Sequence, residues 1–418
     1  MILNRRRSRH HNYEFVICNY ALLVWGCSRL QKIGIYGGTF NPPHLGHFRG
    51  AYYAREALGL DRVLMIPDRE PPHKGVPGDS ALPEQRLQMV RLGLSGEGVE
   101  ASDLSLERDG VSYAWQTVEQ VRRLYPDGEL FFLMGSDMLE SFPGWMHPDR
   151  ILEDAALAVI CRGEKGEAER LEKAKGAVEA LGGRVVLLAN PVTEISSTQL
   201  RRMIVFRCAG EFLPKSVEAY IYEKGLYGAG RDLKNLSLEQ LRDTVVRLLK
   251  PNRVAHVLGC CQTAVELAKL YGVNQTDAAR AALLHDITKA LDGPLQLTLC
   301  RSYGTILDEF SQKNPKTLHA LTGSLVAERI FGENPAVVEA ICCHTTGKAD
   351  MNTLEKIIYV ADYMEPNRDF PGVERLRELA YRDITAALKL GLEMTLAMLK
   401  EQKREISPES QAALDYLG

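Results

Sequence analysis

The sequence predicts two domains in series, a parallel α/β sheet followed by an all-α domain. The chain has 418 residues, which is more than one hydrophobic core usually supports. From Lys32 to Tyr227, short β-rich runs alternate with helical stretches, a pattern typical of parallel sheets. Beyond Ser237 the β-rich runs stop and only helical periodicity remains.

The first domain contains five runs that each predict a strand. These are KIGIY, RVLMI, ELFFLM, ALAVIC and RVVLLA. Helices are predicted over 45–58 and 83–94, between the early runs. A final amphipathic piece, PKSVEAYIYEKGLY, ends near Tyr227 and precedes the Gly-containing polar segment GAGRDLKN, which indicates a domain boundary.

These patterns place the first domain at 32–228, a linker at 229–236 and the second domain at 237–418. Residues 1–31 stand apart, because RRRSRHH followed by FVICNYALLVWGC imitates a signal peptide. The apolar stretch is broken by Asn19 and is too short to span a bilayer. We expect an N-terminal extension outside the fold, with targeting or a membrane-surface anchor as the alternative.

Composition is that of an ordinary soluble protein, with 45% hydrophobic and 25% charged residues. A net charge of -3, without a long basic run past the N-terminus, gives no electrostatic footprint for a nucleic-acid partner. Nine cysteines without a CxxC motif are expected to be reduced and mostly buried, which favours the cytoplasm over a membrane. Composition leaves open whether the chain forms a homo-oligomer.

A phosphate-binding loop is predicted where the first strand runs into GGTFNPPHLGHF. Gly37 and Gly38 allow a sharp turn, and the following prolines end the strand. A helix is expected to begin near His44, and its free N–H groups attract anions. His44 and His47, three residues apart, can face the same phosphate. A plain Gly-Pro turn with two solvated histidines is the alternative.

A second candidate anion-binding segment is ISSTQLRRM. Ser197 and Thr198 lie at the predicted start of a helix, and Arg201 follows within its first turns. Either hydroxyl could simply cap the helix. If the segment lies near the glycine-histidine loop, the hydroxyls and the guanidinium become suitable ligands for a triphosphate.

Together, GGTFNPPHLGH, PDREPPHK and ISSTQLR resemble the bacterial nicotinate mononucleotide adenylyltransferases of the nucleotidylyltransferase superfamily. The resemblance covers Lys32 to Tyr227 and implies a Rossmann-like sheet. It implies transfer of AMP from ATP to nicotinate mononucleotide, giving deamido-NAD and pyrophosphate in NAD biosynthesis. Mg²⁺ is implied as the partner of ATP. Another adenylyltransferase of the superfamily, such as one acting on phosphopantetheine, is the alternative.

The same resemblance implies catalytic roles for His44, His47 and Arg201. The residues that it implies for ATP and substrate binding are Gly37, Gly38, Thr39, Phe40, Lys74, Arg86, Tyr113, Gly135, Asp137, Trp145, Ser197 and Thr198. Lys74 and Arg86 could instead be solvated charges, and Trp145 could stack on a pyridine or belong to the core.

The resemblance is weaker at the expected pyridine pocket. The family usually has Thr and Asp where this chain has Ala114 and Gln116. This departure leaves the preference for nicotinate over nicotinamide open.

The second domain offers a metal-ligand set in its helical patterns. Its members are His256, His285, Asp286, His319, His344 and Asp362. Any one of these histidines alone is more typical of a hydrogen-bonded core or surface residue. Imidazole combined with carboxylate suits Fe, Mn or Zn. As a set, the six residues therefore predict a metal centre.

The segments RVAH, LLHDITK, LHA, CCHTTG and ADYMEPNR resemble the YqeK-type branch of the HD phosphohydrolases. That branch contains symmetrical diadenosine tetraphosphate hydrolases, which yield ADP. The resemblance implies that the six residues hold one or two metals, Fe or alternatively Mn or another divalent ion, with Asp286 catalytic. Lys289, Arg253 and Arg368 become candidates to clamp the polyphosphate, or else ion-pair partners. Hydrolysis of another nucleotide, or a non-catalytic nucleotide sensor, is the alternative.

Overall fold

The computed structural model describes residues 30–72, 80–163, 166–191 and 195–418. The expected extension and Lys74 therefore lie outside the described residues, apart from the last two residues of the extension. The first half forms one six-stranded, fully parallel sheet with strand order β3-β2-β1-β4-β5-β6. The strands are β1 (Lys32–Gly38), β2 (Arg62–Pro67), β3 (Val99–Ala101), β4 (Glu129–Gly135), β5 (Ala155–Ile160) and β6 (Val185–Leu188). This doubly wound order confirms the predicted Rossmann-like fold class.

The strands have near-continuous apolar sequences because helices cover both faces of the sheet. β5, for example, is buried along its whole length. Two core clusters lie on opposite faces, one around Phe132 and Leu157 and the other around Phe131 and Ala158. The sequence did not predict β3, because three residues at the sheet edge are too few to show a strand pattern.

Eight helices accompany the sheet in the described part of the first half. They are α1 (Leu45–Leu58), α2 (Pro83–Gly93), α3 (Ala114–Leu124), α4 (Ser136–Ser141), α5 (Pro148–Asp154), α6 (Glu167–Glu179), α7 (Ser197–Val205) and α8 (Lys215–Glu223). α1 has the predicted bounds and ends at Gly59, whose φ of 61° is a left-handed C-cap conformation. β1 lies between β2 and β4, so the strand order reverses there and opens a crevice at the carboxyl ends of these strands.

The second half is helical, and no strand occurs among its described residues from 237 onward. Its helices are α9 (Leu238–Leu248), α10 (Pro251–Leu270), α11 (Gln275–Leu284), α12 (Gly293–Ser302), α13 (Glu309–Lys313), α14 (Leu318–Val326), α15 (Pro335–Cys343), α16 (Thr353–Met364), α17 (Val373–Ala380), α18 (Ile384–Glu401) and α19 (Pro408–Tyr416). A π-helical turn over Ala327–Phe331 continues α14. The predicted all-α character of this half is confirmed.

The two halves share one continuous core. Leu200 and Ile204 of α7 and Leu241 and Val245 of α9 are all fully buried in the same hydrophobic cluster. The polar segment expected to be a linker also enters this cluster, through Ala229 and Leu233 among others. Segment 229–236 therefore packs against this core through three apolar side chains, those of Ala229, Leu233 and Leu236.

Helix α7 has a different neighbour on each of two sides. Arg201 donates to the carbonyl of Asn41 at 2.8 Å, in the loop after β1. Gln199 donates through Nε2 to Oδ2 of Asp292 at 2.9 Å, and Arg202 donates through Nε to the carbonyl of Leu248 at 2.6 Å, both in the second half. One short helix thus joins the β1 loop to the helical domain.

None of the described helices is long and apolar enough to cross a membrane. All seven cysteines in the described residues carry free thiols, and four of them are buried.

Candidate functional site

The first candidate site lies at the carboxyl edge of the sheet, where β1 ends and α1 begins. His44 is the N-cap residue of α1 and His47 lies in its first turn, so both rings reach the same side, with centroids 3.7 Å apart. The backbone N–H of His44 donates to Nδ1 of His47 at 3.2 Å. A neutral His47 ring therefore carries its proton on Nε2, where it can donate to an anion.

Burial keeps both imidazoles uncharged. Burial, together with the neighbouring His47, holds the pKa of His44 well below its ordinary value. Burial and the guanidinium of Arg162 lower the pKa of His47 to about 3. The buried Nδ1 of His44 has no hydrogen-bond partner among the described residues. Leaving a buried polar atom without a hydrogen-bond partner costs free energy. This atom is therefore suited to form a hydrogen bond with a ligand.

The N-terminus of α7 lies against the same loop. Ser197 Oγ is 3.5 Å from the carbonyl of Pro42, and Arg201 bonds both the carbonyl of Asn41 and the hydroxyl of Thr198. Ser196, which the sequence did not single out, is the N-cap, because its hydroxyl accepts from the N–H of Gln199 at 3.2 Å. The structure therefore brings the two predicted anion-binding segments together and leaves Ser197 free of the capping role.

Arg86 has a structural role in the described chain, and its phosphate contact stays a prediction. Its side chain is 1% exposed, and its guanidinium donates to four backbone carbonyls, those of Ala81, Thr39, Asp68 and Arg69. With its donors used in this way, Arg86 fixes the loops around the site. Sequence alone does not distinguish such a buried structural arginine from a phosphate ligand.

Other predicted residues line the same edge. Gly37, Gly38, Thr39 and Phe40 form the end of β1 and the following loop. A Cβ on Gly135, at the end of β4, would be 2.9 Å from Oδ1 of Asp137, so a larger residue here would displace the Asp137 carboxylate. Asp137 pairs with Arg162 at 3.0 Å. Sequence reasoning missed Arg162, because a single arginine after a strand has no distinguishing signal.

The predicted pyridine-pocket residues surround the start of α3 and the end of α4. Tyr113 is the N-cap residue of α3, and Ala114 begins the helix. Trp145 is partly buried, with its ring edge-on to Phe132 at 6.2 Å. Trp145 thus belongs partly to the core and also has a surface that is accessible to a ligand.

The second candidate site is a buried cluster inside the helical half. It contains all six predicted ligands, of which Asp362 alone is partly exposed. His256 Nε2 is 3.3 Å from His285 Nε2 and 3.1 Å from Asp362 Oδ1. Two ligand atoms each about 2.1 Å from one ion, at a tetrahedral angle, stand roughly 3.4 Å apart. These residues therefore fit a divalent metal.

Asp286 occupies the middle of the cluster. Its Oδ2 is 3.8 Å from Nε2 of His256 and 3.6 Å from Nε2 of His285. Its Oδ1 is 3.6 Å from Nε2 of His319 and 4.0 Å from Nε2 of His344. One carboxylate thus faces two pairs of imidazoles, an arrangement that suits an aspartate shared by two ions.

Each histidine of the cluster has its outer nitrogen occupied. His285, His319 and His344 place Nδ1 against the carbonyls of Ala282, Lys316 and Ile341, at 2.7, 3.0 and 2.7 Å. Nδ1 of His256 is 3.1 Å from Oε1 of Glu365. These contacts fix the tautomer that turns Nε2 inward.

Three of these imidazoles, those of His285, His319 and His344, are also in the protonation state that a metal requires. Burial holds the pKa of His285 and of His319 well below the ordinary value and lowers that of His344 to about 4. Metal ligation needs the neutral imidazole. The folded protein thus holds these imidazoles in the neutral form that binds a metal.

Three cations surround the cluster at its exposed side. Arg253 pairs with Asp286, and Arg368 Nη2 is 2.8 Å from Asp362 Oδ1. Lys289 Nζ is 2.8 Å from His319 Nε2. Burial lowers the pKa of Lys289 to about 8, at which the amine is still mostly charged at pH 7. The three predicted clamp residues therefore lie together, each on a predicted ligand.

Sequence reasoning missed three further residues at this cluster. Cys260 Sγ is 3.6 Å from Nε2 of His256, and Thr345 Oγ1 lies between Nε2 of His319 and Nε2 of His344, at 3.0 and 3.1 Å. Glu365 is the third. Cys260, one helical turn after a predicted ligand, could have been found from its spacing.

We predict that replacing His47 by Gln reduces the acid sensitivity of the fold. The pKa of His47 is lowered in the folded chain to about 3, so between its ordinary value and pH 3 the unfolded chain binds a proton that the folded chain excludes. Stability therefore falls as the pH falls below about 6.5. Between pH 7 and 5, the free energy of unfolding of the parent should fall by on the order of 1 kcal/mol more than that of His47→Gln. The measurement is urea unfolding at both pH values. Equal losses would contradict the burial of His47.

Comparison with known proteins gives two family matches along the chain. A cytidylyltransferase-like model matches residues 35–203, and an HD domain model matches residues 253–367. A probable nicotinate-nucleotide adenylyltransferase of Gloeobacter violaceus is 36% identical over 200 residues, covering 47% of this chain and 96% of that protein. A symmetrical bis(5'-nucleosyl)-tetraphosphatase of Halalkalibacterium halodurans is 38% identical over 186 residues, covering 42% of this chain and 96% of that protein.

Among solved structures, the chain is similar to a Clostridium acetobutylicum protein described as a predicted HD superfamily hydrolase involved in NAD metabolism. The identity is 35%, the match covers 44% of this chain and 97% of that protein, and the TM-score is 0.43. The two curated relatives are each covered almost completely, and each accounts for less than half of this chain. The chain therefore belongs, through its first half, to the nicotinate-nucleotide adenylyltransferase family, and its second half is an HD domain related to the symmetrical bis(5'-nucleosyl)-tetraphosphatases.

Proposed function

We propose that this chain is a bifunctional enzyme. Its first half transfers AMP from ATP to nicotinate mononucleotide, which gives deamido-NAD and pyrophosphate. Its second half hydrolyses diadenosine tetraphosphate symmetrically to ADP, with one or two bound divalent ions, of which iron is the first choice and manganese the second. The observation that supports the proposal is the presence of two separate groups of polar residues, one at the β1 loop and one around Asp286.

Adenylyl transfer needs positioning and charge neutralisation. An oxygen of the mononucleotide phosphate attacks the α-phosphorus of ATP, and the bond from that phosphorus to the β-phosphate oxygen breaks as pyrophosphate leaves. Mg²⁺ would arrive with ATP and share its charge. His44 and His47, whose rings lie side by side, and Arg201 at the same loop would donate hydrogen bonds to the phosphates, on which negative charge accumulates.

Nicotinate is favoured over nicotinamide by the start of α3. The helix begins at Ala114 and has no acidic residue in its first turn. Its free N–H groups and dipole therefore remain available to a carboxylate. Gln116, where the family usually has Asp, adds no negative charge that would repel the nicotinate carboxylate. Trp145 supplies an aromatic surface for the pyridine.

In the second half, Asp286 and the two flanking pairs of histidines would hold the metal. Bound divalent ions supply a water of lowered pKa and neutralise charge on the phosphates. Arg253, Lys289 and Arg368 would hold the polyphosphate over the cluster. The water oxygen adds to an inner phosphorus and the central P–O–P bridge breaks, so that each half of the substrate leaves as ADP.

Product analysis of the purified full chain tests both halves. With ATP and Mg²⁺, pyrophosphate release should be fastest with nicotinate mononucleotide and slower with the nicotinamide form or phosphopantetheine. With diadenosine tetraphosphate and Fe(II) or Mn(II), ADP should be the main product, and EDTA should abolish its formation. Fastest release with phosphopantetheine would reassign the first half. Absence of hydrolysis with every metal would favour a nucleotide sensor in the second half.

A further inference from the structure

His256 differs from the other three histidines of the cluster in what orients it. The other three each use a backbone carbonyl three residues earlier in the chain. Two of them, His285 and His344, are C-cap residues, where the last helical carbonyls lack a helical partner. His256 lies inside α10, where the carbonyl of the preceding turn is already bonded within the helix. His256 therefore needs an acceptor from another segment.

That acceptor is Glu365, directly after α16. Its side chain is 1% exposed, and Oε1 is 3.1 Å from Nδ1 of His256. The second oxygen, Oε2, accepts from the backbone N–H of Asn367 at 2.7 Å and from its Nδ2 at 2.8 Å. Both carboxylate oxygens are thus used, and the group is held from two sides.

The surrounding structure is shaped for this carboxylate. A Cβ on Gly259 would lie 2.4 Å from Oε2 of Glu365, so only glycine lets α10 approach the glutamate this closely. Arg377 donates to the backbone carbonyls of Met364 and Glu365, both at 2.9 Å. Helix α10, the loop after α16 and Arg377 of α17 therefore all fix the position of Glu365.

We infer that Glu365 is a positioning residue for His256. It holds the proton on Nδ1, aims Nε2 at the site shared with His285 and Asp362, and strengthens Nε2 as a metal ligand. A carboxylate paired with the outer nitrogen of a ligating histidine raises the basicity of that ligand. The inference rests on the proposed metal centre. Among the described residues, His256 is the one histidine of the cluster with a side-chain carboxylate behind its outer nitrogen, so we expect its Nε2 to be the most strongly supported ligand.

The test is a Co²⁺ titration of the full chain, followed by visible absorption of the bound ion. Glu365→Gln keeps the volume but offers one acceptor oxygen where the carboxylate offers two, so it cannot serve both His256 and Asn367. We expect affinity for the ion to fall on the order of 10- to 100-fold. Glu365→Ala should weaken binding at least as much.

Glu355→Gln is the matched control. Glu355 is also 1% exposed and lies in α16, the helix that Glu365 follows, but its carboxylate pairs with Lys348 at 2.7 Å and not with a predicted ligand. The Glu355→Gln variant should retain the affinity of the parent for Co²⁺. If the parent binds no Co²⁺, the proposed metal centre fails, and the inference fails with it. If the parent binds Co²⁺ and Glu365→Gln binds it equally, or if Glu355→Gln loses as much, the inference alone fails.

Discussion

Replacing His285 and Asp286 together by alanine is expected to abolish hydrolysis of diadenosine tetraphosphate while leaving adenylyl transfer intact. The change removes one imidazole from the His256 side and the carboxylate that faces all four histidines. Metal ions contribute several kcal/mol of charge stabilisation to phosphate hydrolysis, so the rate should fall by roughly 10³-fold or more. The measurement is ADP formation with Fe(II) or Mn(II), and metal content of the purified variant should fall in parallel.

Adenylyl transfer in the same variant is the internal control for folding. Because the halves share a core, a variant that had unfolded the helical domain would also damage α7 and lower the first activity. Loss of both activities would therefore indicate misfolding. Continued hydrolysis with loss of metal from the cluster would contradict the proposed site.

The second large effect is expected in the first half, where replacing His47 by alanine should slow adenylyl transfer. Its Nε2 proton is available to the leaving phosphates because Nδ1 is held by the N–H of His44. Removal of one such preorganised donor typically costs about 10²- to 10³-fold in kcat. We expect a loss of this size in pyrophosphate release with ATP and nicotinate mononucleotide, and unchanged hydrolysis by the second half.

His147→Ala is a suitable comparison for that variant. His147 belongs to the same domain, but its ring packs edge-on against Trp115 at 5.3 Å, at the start of α3. The His147→Ala variant should keep most of the kcat of pyrophosphate release. An equal loss in both variants, or a change confined to KM in His47→Ala, would argue against a role for His47 in stabilising the transition state.

The sequence predicted the layered fold well, because it depends on local periodicity. The five predicted runs became strands, and 45–58 became a helix with the same bounds. The three-residue β3 was missed because a strand at a sheet edge needs little apolar sequence. The packing of 229–236 could not be read from the sequence, since its Gly and Asp content outweighs the three apolar residues that contact the core.

The candidate sites were predictable where a motif places several chemical groups at a fixed spacing. The HD pair, and His44 with His47, are of this kind. Residues that act through a partner distant in sequence were not predictable. The sequence does not reveal the four backbone acceptors of Arg86, and Glu365 looks like a surface charge until it is found 3.1 Å from a histidine 109 positions away. Single residues of this type acquire meaning only from the folded geometry.

Helix α7 has a further consequence for how the chain opens. Its nine residues bond the β1 loop on one side and α9 and Asp292 on the other, around three buried side chains, Leu200, Met203 and Ile204, that lie in the shared core. Local unfolding proceeds in contiguous cooperative units, and this helix cannot detach from one half while remaining attached to the other without exposing those side chains. The amide hydrogens of α7 should therefore exchange with solvent only in openings that involve both halves. A nucleotide that protects the β1 loop should then also slow the opening of the neighbouring HD helices.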